Sequence, residues 1–152
     1  MITVSMSALV HAPASRVWRA LVDTGEVARW DTRALELRGV AADYQSSAGP
    51  VRWRYRVGSV PLELEDTALE VVPQRRLRLA RSFGSLRFEE TFSLGEEEGA
   101  GTRLALRLAV ANSVATFGGG LDRFDVRRFA SELVDESLRA IQRFCEEARS
   151  DV

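Results

Sequence analysis

The apolar residues of this chain change period once, and that change limits the fold more than any other feature of the sequence. Between about Leu35 and Val110 they recur at alternate positions, the repeat of strands with one buried face. From Leu121 onward the repeat becomes that of an amphipathic helix: Val126, Phe129, Ala130, Leu133, Ser137, Ile141, Phe144 and Ala148 make one stripe, flanked by Val134, Leu138 and Cys145. Asp135, Glu136, Arg139, Gln142, Arg143, Glu146 and Glu147 face away, and Asp122 and Asp125 suit the helix N-terminus. Consecutive strands give an antiparallel sheet whose apolar face needs one covering layer, and the terminal helix can supply it, an α+β arrangement. A helix of about 25 residues spans roughly 38 Å, longer than most strands, so the sheet must curve around it. A cavity is left wherever the two do not touch.

The earlier segments fit that plan. Ile2, Val4, Met6, Ala8 and Val10 alternate with polar residues in a first strand, and Pro13 ends it. A short helix from about Ala14 to Asp23 follows, broken at Gly25, then a second short helical piece, EVARW, leading to Asp31. Leu35 and Leu37 alternate with Glu36 and Arg38 ahead of the loop DYQSSAGP. In VRWRYRVG, Val51, Trp53, Tyr55 and Val57 face inward and Arg52, Arg54 and Arg56 outward; a Gly58-Ser59 turn then sets Arg54 opposite Glu63 and Arg52 opposite Glu65. RRLRLARSF, a turn at Gly84, LRFEETFSL, the EEEGAG loop and TRLALRLAV complete the strands. Their outward Arg and Glu residues form rows of changing sign, a structural use for most of the arginine.

Composition removes many functions. At 152 residues, with 45% hydrophobic and 28% charged residues, the chain fits one globular domain, 1–152, and leaves no room for a second. A formal net charge of −1 lacks the electrostatic footprint of a nucleic-acid binder. All 21 basic residues are Arg, so Schiff-base and P-loop lysines are excluded; the single Cys145 cannot close an internal disulfide, and one His with one Cys argues against a zinc site or a Cys/His catalytic pair. No metal and no cofactor is expected. The sequence has no apolar run of roughly 18–20 residues and no signal-like start, so neither an integral membrane segment nor export is expected, and the default address is the cytoplasm.

Several stretches, taken in order, carry a resemblance. They are VSMSALVHAPASRVWRALVD (Val4 to Asp23), with its A-P-x-x-x-V-W-x-x-L-x-D pattern, then Trp30, the E-T-F-x-L strand (Glu90 to Leu94), the G-T-R-L strand (Gly101 to Leu104) and the apolar terminal helix. Together they resemble the START/birch-pollen-allergen (SRPBCC) superfamily, in particular its bacterial polyketide cyclase/dehydrase and lipid-transport branch. The resemblance covers nearly the whole chain. It implies a helix-grip fold, a curved antiparallel sheet of about seven strands wrapped around the C-terminal helix with two short helices after the first strand, whose cavity binds hydrophobic small molecules. The cluster ligands of the superfamily's Rieske oxygenases are absent.

A few residues could carry chemistry. Glu90 shares a face with Leu86, Phe88, Phe92 and Leu94; there it could act as an acid or base or bind a ligand hydroxyl, or else sit near a sheet edge reached by water or an Arg. Arg81 shares its face with Leu77, Leu79 and Phe83. It either clamps an enolate, carboxylate or phenolate, as aromatase/cyclases of the superfamily are thought to do, or snorkels from the strand end, which is the simpler reading. Tyr55 could offer a hydroxyl, and Trp53 reads as packing. Asp66 interrupts the inward set after Leu64, and a bulge turning it outward is expected. His11 reads as a surface residue, Cys145 as a small hydrophobe, and the ANSVATFGGG segment as a cavity lip or a plain connection. The expected cavity wall is Trp53, Tyr55, Leu77, Leu79, Phe88, Leu106 and Phe129, with Arg81 and Glu90 as its polar points. Three functions compete: a binder of a lipid, polyketide or isoprenoid, the leading reading; a cyclase/dehydrase using Glu90, Arg81 and Tyr55; and a co-chaperone-like or membrane-associated partner-binding module. A monomer or homodimer fits all three.

Overall fold

The computed structural model describes residues 1–39, 43–45, 49–97, 99, 101–111 and 125–150, with side chains in the last helix described as far as Glu147. The elements are β1 (Ile2–Val10), α1 (Ala14–Val22), α2 (Thr24–Trp30), β2 (Ala34–Arg38), β3 (Val51–Val57), β4 (Val60–Val72), β5 (Arg76–Phe83), β6 (Leu86–Glu97), β7 (Gly101–Val110) and α3 (Val126–Ser150). Seven strands make one antiparallel sheet in the order β1-β7-β6-β5-β4-β3-β2. This is the helix-grip architecture, with the inward residues of successive strands and the stripe of α3 forming one core. On α3, Val126, Phe129, Ala130, Leu133, Val134, Leu138, Ile141 and Cys145 are buried. Phe144 is half-buried beneath the guanidinium groups of Arg16 and Arg29, 4.8 and 5.3 Å from its ring centre. Asp125 starts the helix, its carboxylate accepting from the Arg128 N–H at 3.0 Å; Asp122 and the ANSVATFGGG segment beyond Ala111 lie outside the described residues.

Local chemistry moves some boundaries. The break between the first two helices falls at Asp23 and not at Gly25. The Asp23 carboxylate accepts from the N–H groups of Gly25 and Glu26 and so caps α2, while its own N–H closes α1 onto the Arg19 carbonyl. Gly25 lies inside α2, where a Cβ would stand 3.1 Å from that carboxylate. In β2 a bulge between Ala34 and Glu36 inserts Leu35 into solvent, so Ala34 and Leu37, not Leu35 and Leu37, face the core. Met6 alternates with the inward row of β1 but is 42% exposed, on an edge strand of the sheet.

The β3–β4 turn forms as expected, with Val57 opposite Val60, Gly58 at φ 61° and Arg52 and Arg54 opposite Glu65 and Glu63. Arg52 pairs with Glu65 at 3.3 Å, whereas Glu63 takes Arg38 of β2, at 3.1 Å. These side chains are mostly in water. Replacing Arg52 and Arg54 together with Ser is expected to change unfolding free energy by no more than about 1 kcal/mol and to leave ligand affinity unchanged. Urea denaturation and a binding titration check it; a large loss of either would assign the convex face a role of its own.

Candidate functional site

Every residue of the expected wall is buried: Trp53, Tyr55, Leu77, Leu79, Phe88, Leu106 and Phe129, together with Arg81 and Glu90. The register explains why. Leu79 lies opposite Glu90, Arg81 opposite Phe88, and Glu90 opposite Leu108, so these side chains share the concave face of β5, β6 and β7. Phe129 reaches them from α3 and meets Phe83 and Phe88 edge to face, with ring centres 5.5 and 6.2 Å apart.

Within this apolar wall lies a polar cluster. Arg81 does not snorkel from the strand end: its side chain is 7% exposed and is held from two sides. Its Nε donates to Asp66 Oδ1 at 2.7 Å and its Nη2 to Asp66 Oδ2 at 3.3 Å, while its Nη1 donates to Glu90 Oε1 at 2.7 Å. Asp66 is likewise buried and not turned outward, because it stands directly opposite Arg81 in the β4–β5 ladder, and the bulge falls further on, between Ala68 and Glu70. The guanidinium also lies over the Tyr55 and Phe88 rings, at 5.3 and 6.0 Å.

Two tyrosines extend the cluster. Tyr44 donates its hydroxyl to Asp66 Oδ2 at 2.7 Å and accepts from Trp53 Nε1 at 3.2 Å, so Trp53 does more than pack. Tyr55 donates to Asp31 Oδ2 at 3.0 Å, and the other Asp31 oxygen accepts from the Arg33 N–H. Arg33 in turn grips Glu136 on α3 at 2.7 Å. Burial pushes the Asp31 and Glu90 carboxyls above their ordinary range even though Arg81 pulls both down. Both phenols are pushed well up, first by burial and then by the neighbouring carboxylates, so they act as hydrogen-bond donors. Arg81 is held firmly charged: burial opposes its charge, but Asp66 and Glu90 outweigh it.

The sequence reading missed Tyr44, Asp31 and Arg33 as members of this cluster. Tyr44 is the aromatic residue in an otherwise polar loop, and its backbone N–H is bonded to the Val22 carbonyl, which brings its ring inside. Asp31 is the C-cap of α2, a position that reads as surface until β3 packs against it. His11 is exposed, its N–H bonded to Glu146, and Cys145 is buried with its thiol pushed up to about 11. A recess of about 530 Å³ lies over the convex face, where Thr67, Ala80 and Ala109 leave space between Arg87, Glu89 and Arg107. No described helix is long and apolar enough to cross a membrane.

The fold and this interior can be set beside known proteins. A model of the family described as polyketide cyclase / dehydrase and lipid transport matches residues 1–146. The chain belongs to that family. No curated protein sequence matches it. Among solved structures, a conserved protein from Geobacillus kaustophilus superposes with a TM-score of 0.75 at 12% identity, over 97% of each chain. A START superfamily protein from Mycobacterium smegmatis gives 0.72 at 15% identity, over 96% of this chain and 98% of that one. DynU16, described as a protein of the dynemicin biosynthetic locus, gives 0.69 at 18% identity, over 97% of this chain and 48% of its own. For this member of the family the likenesses establish the helix-grip fold, and family membership implies either ligand binding or a cyclase role.

Proposed function

We propose that the protein holds a hydrophobic small molecule, a lipid, polyketide or isoprenoid, between the concave face of the sheet and α3, with Glu90 as its main polar contact. The observation that carries this reading is Glu90 itself. It is a buried carboxylate on a wall of Leu and Phe side chains, bonded to Arg81 through Oε1. No hydrogen bond from a described residue reaches Oε2. Buried charges are ordinarily paired and fully bonded, and a spare acceptor oxygen is what would orient the polar end of an amphiphile. The family description, which names lipid transport as well as polyketide chemistry, supports the same reading.

Native mass spectrometry of the purified protein tests it. A hydrophobic small molecule should travel with the folded chain and leave on denaturation. Absence of any such mass, together with no binding from a panel of lipids, polyketides and isoprenoids, would overturn the reading. A cyclase/dehydrase remains the second reading because Glu90, with its carboxyl held above the ordinary range, is suited to proton transfer. Glu90→Gln separates the two. In a carrier it weakens hydroxyl-bearing ligands about tenfold or more. In a cyclase it lowers turnover by about a hundredfold or more while substrate still binds. The partner-module reading has less support, since the exposed large apolar residues among those described, Met1, Met6, Leu35, Leu69 and Val72, fall at the N-terminus and on three separate strands.

A further inference from the structure

The cluster also restricts which headgroup such a ligand can carry, an inference that rests on the reading above. Arg81 is the cation closest to Glu90, and its charge is already met by two carboxylates. Three of its bonds go to Asp66 and Glu90, and the faces of its guanidinium lie toward Tyr55 and Phe88. The hydroxyl and indole donors of the cluster are committed, Tyr44 to Asp66, Trp53 to Tyr44 and Tyr55 to Asp31, and the charge of Arg33 is met by Glu136. Glu90 Oε2 accepts no hydrogen bond from a described residue. The charges lean the same way: Asp31, Asp66 and Glu90 are buried with Arg33 and Arg81, and Arg33 is shared with Glu136 on α3.

We propose that the interior selects neutral ligands that donate a hydrogen bond, a hydroxyl or a phenol, and rejects ligands that carry a carboxylate, with Asp66 as the residue that sets this preference by occupying Arg81. A ligand carboxylate would bring a third negative charge to Arg81, and taking the place of Asp66 or Glu90 there would leave a protein carboxylate buried and unpaired. Beside Glu90 it would also make a like-charge contact, which disfavours the wrong ligand strongly. Burial already holds the Glu90 carboxyl above its ordinary range, so a second negative charge meets a group short of solvation. A hydroxyl needs no displacement, since it donates to the spare oxygen. Asp66 is therefore a positioning residue: it acts through Arg81 and not on the ligand.

Matched pairs test this on the unmodified protein: naphthol against naphthoate and dodecanol against dodecanoate, titrated at neutral pH by calorimetry. The neutral member of a pair should bind at least about tenfold more tightly, a difference of about 1.4 kcal/mol. Tighter or equal binding of the carboxylates would overturn the proposal while leaving an interior binding site standing. Binding of neither member of either pair would count against the site itself and against this inference with it. Asp66→Asn should free Arg81 and narrow or invert the preference. If that variant does not fold, Glu90→Gln gives the same information: with one negative charge removed and an amide donor added, carboxylate affinity should rise about tenfold relative to the matching alcohol. An unchanged ratio in a folded variant would exclude the cluster as its origin.

Discussion

Arg81→Met is expected to lower the unfolding free energy by about 3–5 kcal/mol, the cost of leaving buried carboxylates without their cation. Asp66 and Glu90 both depend on Arg81, at 2.7 Å each, and the three side chains are almost wholly buried. Removing the carboxylates as well, in the combination Arg81→Met, Asp66→Asn and Glu90→Gln, should recover much of that loss, because it is the unpaired charge and not the missing contact that is costly. The pH dependence follows from the direction of the shift. A carboxyl held above its ordinary range when folded contributes stability that is fully present below its unfolded value, near 4.5 for Glu90, and lost as the pH rises through its folded value. Without Arg81 the folded value rises further, so the single variant should regain stability as the pH falls from neutral toward that window. Urea denaturation at neutral and mildly acidic pH measures both effects. A loss below about 1 kcal/mol at neutral pH would mean that the cluster is solvated in solution.

Phe129→Ala is the second large effect, expected to cost about 3–5 kcal/mol. Phe129 is 5% exposed and closes the aromatic group with Phe83 and Phe88, and the Arg33 guanidinium lies 5.8 Å from its ring centre. The deletion therefore opens space between sheet and helix where neighbours on two elements would have to move together to fill it. Leu133→Ala, one turn further along α3, should cost about 2–5 kcal/mol, and Arg143→Ala on the exposed side less than about 0.5 kcal/mol. Thermal and urea unfolding of the three variants compare them directly. Equal effects at Phe129 and Arg143 would show that α3 is not seated through its apolar stripe.

What the sequence determined by itself is the periodic part of the molecule. The alternation of Val51, Trp53, Tyr55 and Val57, the opposite charges across the Gly58-Ser59 turn and the stripe from Val126 to Cys145 each define a face locally, and burial follows the face. The burial of these inward positions was legible for that reason. Strict alternation after Leu62 and Leu64 also points Asp66 inward, but a carboxylate on an inward face is acceptable only with a partner, so the sequence reading turned it outward; the partner lies on another strand. Only the β4–β5 register, which sets Asp66 against Arg81, turns two misfits into one buried pair. The same holds for Tyr44, drawn inside from a polar loop, and for Asp31, at the end of a short helix, since each is satisfied by groups 22–24 residues away in sequence. Leu35 and Met6 err the other way: their pattern is apolar, but a bulge exposes the first and a sheet edge the second. Faces are a property of the local repeat, whereas the pairing of buried charges and the exposure of edges depend on which distant residues arrive opposite, and only the tertiary structure decides that.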